Sequence, residues 1–303
     1  LKAPSVLLLD ALENNKSVEK FPDYIEFLAG KYIRRNHTLV AIGGGIIQDI
    51  TSFLAATILR GVEWTFYPTT LLSQADSCIG SKSSINCRGS KNILGTFTPP
   101  KNIYLSTTFL STLELRELKS GVGEMLKVHA IAGPSDFQSI TTDYDNLFSD
   151  SEMLMKRIRC SLDIKKKYIE KDEFDKGVRL IFNYGHSFGH AIESATNFEI
   201  PHGIAVSIGC DMANYCAYRL GISTKKIWKS MSPTFKANYQ GYENVDIHFD
   251  TFLSALGKDK KNEGSNSFSL ILPDKEATIF KDSYANNQKL RSFFKDFLTS
   301  LKI

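Results

Sequence analysis

Over the first 105 residues, short apolar runs alternate with longer stretches whose apolar positions recur at helical spacing. Residues 6–9 (Val-Leu-Leu-Leu) close on Asp10 and predict a buried strand. Phe21, Tyr24, Ile25, Leu28 and Ile33 mark a helix face within residues 19–35. Residues 38–42 read as a strand, the glycines at 43–45 as a turn, and residues 47–59 as a second helix. A strand at 63–67 stops at Pro68, and another follows at 102–105. This alternation predicts a parallel sheet covered on both faces. Beyond residue 110 strand signals nearly vanish. Helical stretches follow at 113–131, 150–171, 186–196, 203–220 and 287–301. The exception is a small hairpin at 267–272 and 277–280, interrupted by Pro273-Asp274; residues 259–266 read as a polar turn. The pattern therefore predicts an α/β domain at 1–110 and a mainly α-helical domain at 111–303.

The length of 303 residues fits two domains, or one large α/β unit, at roughly 150 residues per domain. Thirty-seven Lys+Arg against 33 Asp+Glu give a net charge of +4, with both signs interspersed, so nothing points to a nucleic-acid partner. No apolar stretch approaches the roughly 20 residues of a membrane span, and the opening residues read as a strand rather than a signal peptide. Five cysteines, an odd number without CxxC spacing, read as reduced thiols of a cytoplasmic protein.

Candidate chemistry gathers at three places. Gly43, Gly44 and Gly45 lie between a predicted strand and helix, where a backbone can approach a pyrophosphate at a helix N-terminus; a tight turn without a ligand gives the same pattern. His186 and His190 stand at i and i+4 on one helix face, with His202 close behind. With a carboxylate such as Glu124 from another helix, they have the composition of a metal site; hydrogen-bonded packing histidines are the alternative. His37, His129 and His248 stand alone and read as packing residues. Lys82, Lys91, Lys127, Lys165 and Arg179 lie within or beside these segments. Grouped, they suit an anionic substrate such as one bearing phosphate and carboxylate; singly, each suits a solvated surface.

Taken together, a series of segments resembles the dehydroquinate synthase family of sugar phosphate cyclases. In family order these are Gly43-Gly44-Gly45 with Asp49, Arg60-Gly61-Val62, Pro68-Thr69-Thr70-Leu71-Leu72, and residues 76–82 (Asp-Ser-Cys-Ile-Gly-Ser-Lys). Then come Gly89-Ser90-Lys91-Asn92, Arg116-Glu117, Gly123-Glu124 with Lys127, Asp172-Glu173 and Gly177-Val178-Arg179. Asn183-Tyr184-Gly185-His186 with His190, His202-Gly203 and Asp259-Lys260-Lys261 complete the series. The resemblance implies a Rossmann-like NAD-binding domain followed by a helical domain holding a divalent metal, zinc foremost and cobalt as an alternative. The implied metal ligands are Glu124, His186 and His202, which moves His190 from the metal to the phosphate. The implied reaction borrows a hydride from a substrate carbinol, eliminates phosphate from the resulting ketone, returns the hydride, opens the ring and closes a carbocycle by an intramolecular aldol step. The departing phosphate can serve as base, so no strongly tuned protein base is required.

By the same resemblance, Asp49, Thr69, Thr70, Asp76, Lys91 and Thr112 join the three glycines on the cofactor side. Lys82, Asn92, Lys127, Lys165, His190 and Lys260 (or its neighbour Lys261) are substrate positions. Arg60 is similar to a residue that reaches the partner subunit's phosphate site, which implies a homodimer. Arg179 and Asn183 match the pair that holds the substrate carboxylate, so the implied substrate is 3-deoxy-arabino-heptulosonate 7-phosphate and the product 3-dehydroquinate. Another sugar phosphate cyclase, an iron-dependent alcohol dehydrogenase relative and an inactive homologue are the alternatives. Four positions depart from the family pattern. Gln48 replaces a usual glycine, and Ser81 and Ser83 replace Gly and Thr around Lys82. Ile204 replaces the glutamate after His202-Gly203, so a carboxylate supporting His202 is expected to be missing. Only 42 residues precede the glycine turn. Residues 13–17 resemble a segment that ordinarily lies well inside the chain, so the N-terminal domain is expected to be incomplete.

Overall fold

The computed structural model describes residues 5–258 and 266–301 and divides into two compact units, Leu1–Leu113 and Glu114–Ile303. In the first, α1 (Phe21–Gly30), β1 (Thr38–Gly43), α2 (Gly45–Thr57) and β2 (Glu63–Pro68) precede a short antiparallel pair, β3 (Ile85–Cys87) and β4 (Ser90–Leu94), and then β5 (Asn102–Ile103). The sheet is parallel in the order β1-β2-β5. Pro22 opens α1, where its missing N–H costs nothing. Phe21 and Tyr24 of α1 meet Ile50 and Leu54 of α2 and Ile85 of β3 in a buried cluster.

Two expectations fail in this unit. Residues 6–9 form no strand. Leu7 and Leu9 pack against the α1–α2 cluster, while Val6 and Leu8 are 51% and 88% exposed. The apolar run binds through alternate side chains, and its backbone joins no sheet among the described residues. Nor is β1 covered on both faces: Ala41 is buried, but Val40 and Ile42, which point the other way, are 58% and 62% exposed, whereas Trp64, Thr65 and Phe66 bury both faces of the central β2.

The second unit is helical. It contains α3 (Leu115–Ala132), α4 (Pro134–Asp143), α5 (Ser151–Ile169), α6 (His186–Ala195), α7 (His202–Arg219), α8 (Lys225–Tyr239) and α9 (Phe249–Gly257). The hairpin β6 (Ser267–Pro273) and β7 (Ile279–Ala285) and the helix α10 (Gln288–Leu301) follow. Every residue of α7 from Gly203 to Asn214 is buried, as befits a helix enclosed on all sides. Asp211, inside it, accepts hydrogen bonds from Trp228 Nε1 (2.9 Å), Ser232 Oγ (3.0 Å) and Tyr239 Oη (2.9 Å), which fasten α8 along α7. Burial pushes the Asp211 carboxyl up, and those three donors hold it down in part.

Where α3 crosses α7 the two backbones touch. A Cβ on Gly203 would lie 1.7 Å from the Ser120 carbonyl oxygen, and one on Gly123 would lie 2.0 Å from the Gly203 oxygen. The neighbours of this glycine pair are Glu124 and His202, so the crossing sets how closely their side chains can meet.

Candidate active site

In the N-terminal unit the glycine turn runs from β1 into α2. Thr69 N–H donates to the Gly43 carbonyl (2.9 Å), and a Cβ on Gly44 would come within 2.9 Å of the Thr70 methyl group. The turn therefore needs glycine at 44 to lie against Thr70. No side chain caps the start of α2, so its first amides remain available to an anion. These features fit a pyrophosphate. Gln48 is turned inward: its side chain donates to the Ser77 carbonyl (2.7 Å) and accepts from Ser77 Oγ (2.7 Å). It braces the π-helical turn Ser73–Ser77 that carries Asp76.

Asp49 and Asn92, expected on the cofactor and substrate sides, meet through Lys16. The ammonium of Lys16 is 3.0 Å from Asp49 Oδ2 and 2.9 Å from Asn92 Oδ1, while Ser84 N–H donates to Asp49 Oδ1 (2.9 Å). Burial raises the Asp49 carboxyl, and Lys16 opposes that rise. Lys16 was not singled out in the sequence. Its signal is a lysine 7% exposed, which needs anionic or amide partners to be tolerated, and only the fold reveals it. Lys82, Lys91 and Thr112 are exposed. Arg60 is also exposed and sits at φ 67°, between Leu59 at 52° and Gly61 at 121°.

The C-terminal unit assembles the histidine and carboxylate set. Gly185, at φ 77°, turns the chain into α6 and starts it at His186. Glu124 Oε1 lies 3.5 Å from His186 Nε2 and 3.2 Å from His202 Nε2, and Glu124 Oε2 is 2.5 Å from the Lys127 ammonium. Both Glu124 oxygens are sealed from solvent, and neither receives an aligned hydrogen bond. Burial alone would raise this carboxyl, but Lys127, His186 and His202 hold it well below the usual range. His186 is pushed well down by burial, with Lys127 and the other two histidines adding to the effect. Its Nδ1 faces the Tyr184 carbonyl at 3.4 Å, leaving Nε2 toward Glu124.

His202 Nδ1 lies 3.2 and 3.3 Å from the two oxygens of Glu193. Burial opposes charge on His202, yet Glu124 and Glu193 together push it up to about 10. The expected gap beside His202 is thus filled: Ile204 is fully buried apolar packing, and the carboxylate comes from α6 instead. The sequence reading missed Glu193. Its position seven residues after His186, on the same helix face, was the available signal.

One carboxylate and two imidazole nitrogens at one point, the carboxylate buried without an aligned hydrogen bond, fit a divalent metal such as zinc, whose binding would displace the proton that Glu124 and Glu193 hold on His202. The donor atoms of His186, His190 and His202 also lie within 4.8 Å of one another, so the structure brings exposed His190 to the same place. Lys127 lies over the Phe182 ring (5.8 Å), and Phe182 packs on Tyr168 of α5 (5.1 Å). This ties α3 and α5, which carries buried Lys165, to the 3-10 turn Val178–Asn183 holding Arg179 and Asn183. Arg179 is buried, with Nη1 donating to the Glu173 carbonyl at 2.6 Å and its backbone N–H to Asp172 Oδ2 at 3.1 Å. Asn183 Nδ2 donates to the Leu180 carbonyl (3.1 Å). Lys260 and the turn at 259–265 lie outside the described residues.

Known proteins are similar to this chain in sequence and in fold. The 2-deoxy-scyllo-inosose synthase complexed with carbaglucose-6-phosphate, NAD+ and Co2+ superimposes with a TM-score of 0.86 at 23% identity, covering 97% of this chain and 82% of that one. The 2-epi-5-epi-valiolone synthase from Streptomyces hygroscopicus, with NAD+ and Zn2+ bound, gives 0.83 at 22% identity, covering 96% and 82%. An iron-containing alcohol dehydrogenase from Thermotoga maritima gives 0.60 at 15% identity, covering 97% and 83%. Among curated sequences, the 3-dehydroquinate synthase of Clostridium tetani is 35% identical over 260 residues, 86% of this chain and 70% of its own. That of Acetivibrio thermocellus is 36% identical over 274 residues, 89% and 75%. Residues 6–120 match the family model for the 3-dehydroquinate synthase N-terminal domain and residues 121–262 that for the C-terminal domain; with matches spanning both units, the chain belongs to the 3-dehydroquinate synthase family.

Proposed function

We propose that the chain converts 3-deoxy-arabino-heptulosonate 7-phosphate to 3-dehydroquinate and phosphate, using NAD and a divalent metal. The observation that carries this reading is the meeting of Glu124 with His186, His202 and Lys127 in a chain of this family. Glu124, His186 and His202 would hold the metal. Once bound, the metal would polarise substrate oxygens, and NAD would accept and return a hydride.

The chain's own residues bind, orient and hold charge. Glu124 stays ionised because Lys127 and the histidines outweigh its burial, so it can neutralise a cation without first losing a proton. Lys127, Lys165 and His190 supply the cationic and hydrogen-bonding side for a phosphate. Lys82, Asn92 and Lys260 are assigned to the substrate, and Thr69, Thr70, Asp76, Lys91 and Thr112 to NAD. The glycine turn and uncapped α2 start suit the pyrophosphate. The similarity of Arg60 to a family residue that reaches the partner subunit's phosphate site supports a homodimer, which light scattering would test by mass. Five free cysteines suit a cytoplasmic setting, and no helix among the described residues is long and apolar enough to cross a membrane.

The test incubates the protein with NAD, zinc and the heptulosonate phosphate. Phosphate release with carbocycle formation and no net NADH is expected. Net NADH accumulation would instead favour a dehydrogenase, and a folded protein that binds no metal and releases no phosphate would favour an inactive homologue.

Arg179 decides the substrate class. Its guanidinium is already oriented by the Glu173 carbonyl, so it can offer its remaining donors to a planar carboxylate. Arg179→Ala is expected to raise KM for the carboxylate-bearing substrate about 10- to 150-fold, the equivalent of a charge-assisted hydrogen bond of about 1.5–3 kcal/mol. Steady-state kinetics with circular dichroism as a folding control checks it. If the unmutated protein turns over an uncharged sugar phosphate better, the carboxylate assignment is wrong.

A further inference from the structure

We infer that Glu193 is a positioning residue for the metal site, acting through His202; this rests on the metal reading above. Glu193 is 8% exposed, and a carboxylate this enclosed is costly unless a partner offsets the lost hydration. Its partner is one nitrogen: both oxygens share His202 Nδ1, at 3.2 and 3.3 Å.

The contact has two consequences for His202. An imidazole ring can be turned over, exchanging a nitrogen for a carbon at each edge, and its proton can sit on either nitrogen. An anion at Nδ1 settles both choices: it needs Nδ1–H as donor, which leaves the lone pair on Nε2. That nitrogen is the one 3.2 Å from Glu124 Oε1, so the ring presents its ligating atom where the carboxylate already is.

His202 needs this help more than His186 does. Its side chain is 35% exposed against 14% for His186, so less packing holds the ring. It begins α7 directly after Pro201, an N-cap residue whose side chain offers no capping hydrogen bond. The acceptor at His186 Nδ1 is a neutral carbonyl, that of Tyr184 at 3.4 Å, whereas His202 has an anion. Glu193 is carried by α6, seven residues after His186. The same rigid helix therefore places one ligand and orients the other, as a site with fixed geometry requires.

The test measures Zn2+ affinity of the full chain by competition with a chromophoric chelator, for the unmutated protein, Glu193→Ala and Glu193→Gln. Glu193→Ala is expected to bind zinc about 10- to 100-fold more weakly, the usual cost of losing a partner behind a metal-bound histidine. Glu193→Gln keeps an acceptor of the same shape and is expected to lose less. The visible absorption of the Co2+-loaded protein should shift in Glu193→Ala, and saturating zinc should recover most of kcat with KM little changed. Equal zinc affinity in the unmutated protein and either folded variant, with an unchanged cobalt spectrum, overturns the role. If Glu193→Ala does not fold, Glu193→Gln alone decides, through a measurable loss of affinity or none. An unmutated protein that binds neither Zn2+ nor Co2+ instead overturns the metal reading itself.

Discussion

Glu124→Gln is expected to leave the protein without stoichiometric zinc after dialysis and to lower turnover by about a thousandfold or more, since a metal supplies several kcal/mol of charge stabilisation. Glutamine preserves the volume in a site where Glu124 is 1% exposed, so no cavity explains the loss. The charge balance does change. Lys127 is 2% exposed and lies 2.5 Å from Glu124 Oε2. Removing one member of such a buried pair strands the other, at a cost of about 3–5 kcal/mol. The single substitution should therefore also lower the melting temperature of the metal-free protein. The double variant Glu124→Gln/Lys127→Met separates the two effects. It removes both charges, so the melting temperature should recover most of the loss, while zinc content and turnover stay low. Zinc content by elemental analysis, melting by circular dichroism and phosphate release read the three quantities. Full zinc occupancy with normal turnover in Glu124→Gln would exclude Glu124 as a ligand.

The sequence made the helical scaffold of this site legible because its helices have strong local signals. α3, α5, α6 and α7 lie within a few residues of where apolar spacing puts them, and the hairpin β6–β7 turns directly after Pro273. α8 was not anticipated. Its sequence is polar, with Pro233 inside it, and what holds it is Asp211 on another helix. That support is tertiary, and the periodic trace of buried Met231, Phe235 and Tyr239 at i, i+4 and i+8 is interrupted by the interior proline. The N-terminal run at 6–9 misled for the opposite reason: its apolarity is real, but it is spent on the α1–α2 cluster rather than on a sheet.

The candidate site follows the same division. Glycines and histidines at fixed spacing are visible in the chain, so Gly43 to Gly45, His186, His190 and His202 could be named from residues alone. Glu124 could be named only as one candidate carboxylate, since nothing local says which helix faces which. Lys16 and Glu193 escaped because each matters through a partner on another element: Asp49 and Asn92 for the first, His202 for the second. Ile204 gave a false alarm because the count of carboxylates beside a ligand was read along the chain, whereas the fold fills that place from α6.

Gly203→Ala tests whether the α3–α7 crossing sets the ligand geometry. The added methyl would lie 1.7 Å from the Ser120 carbonyl oxygen and 2.6 Å from its carbonyl carbon. Both atoms are backbone, so no side-chain rotation relieves the clash and the helices must separate. Separation also strains Gly203 N–H to Ser120 Oγ (3.0 Å) and the Asn238 Nδ2 bonds to Ser207 Oγ (2.8 Å) and the Lys119 carbonyl (3.0 Å). Overpacking of this kind costs about 3 kcal/mol or more, a fall of roughly 6–12 °C in melting temperature for a unit of this size. Gly257→Ala is the control, because nothing lies within 4 Å of its Cβ position. It should leave stability within about 1 kcal/mol of the unmutated protein. The second effect is specific to the site. Glu124 follows Gly123 and His202 precedes Gly203, so moving the helices apart lengthens the 3.2 Å approach of Glu124 Oε1 to His202 Nε2. Zinc affinity of the folded fraction should therefore fall in Gly203→Ala and not in Gly257→Ala. A Gly203→Ala protein that melts lower yet binds zinc normally would mean that the ligands are held by their own helices alone. Normal melting and normal binding together would mean that the two backbones are not in contact, because no carbonyl oxygen tolerates a methyl group at that distance.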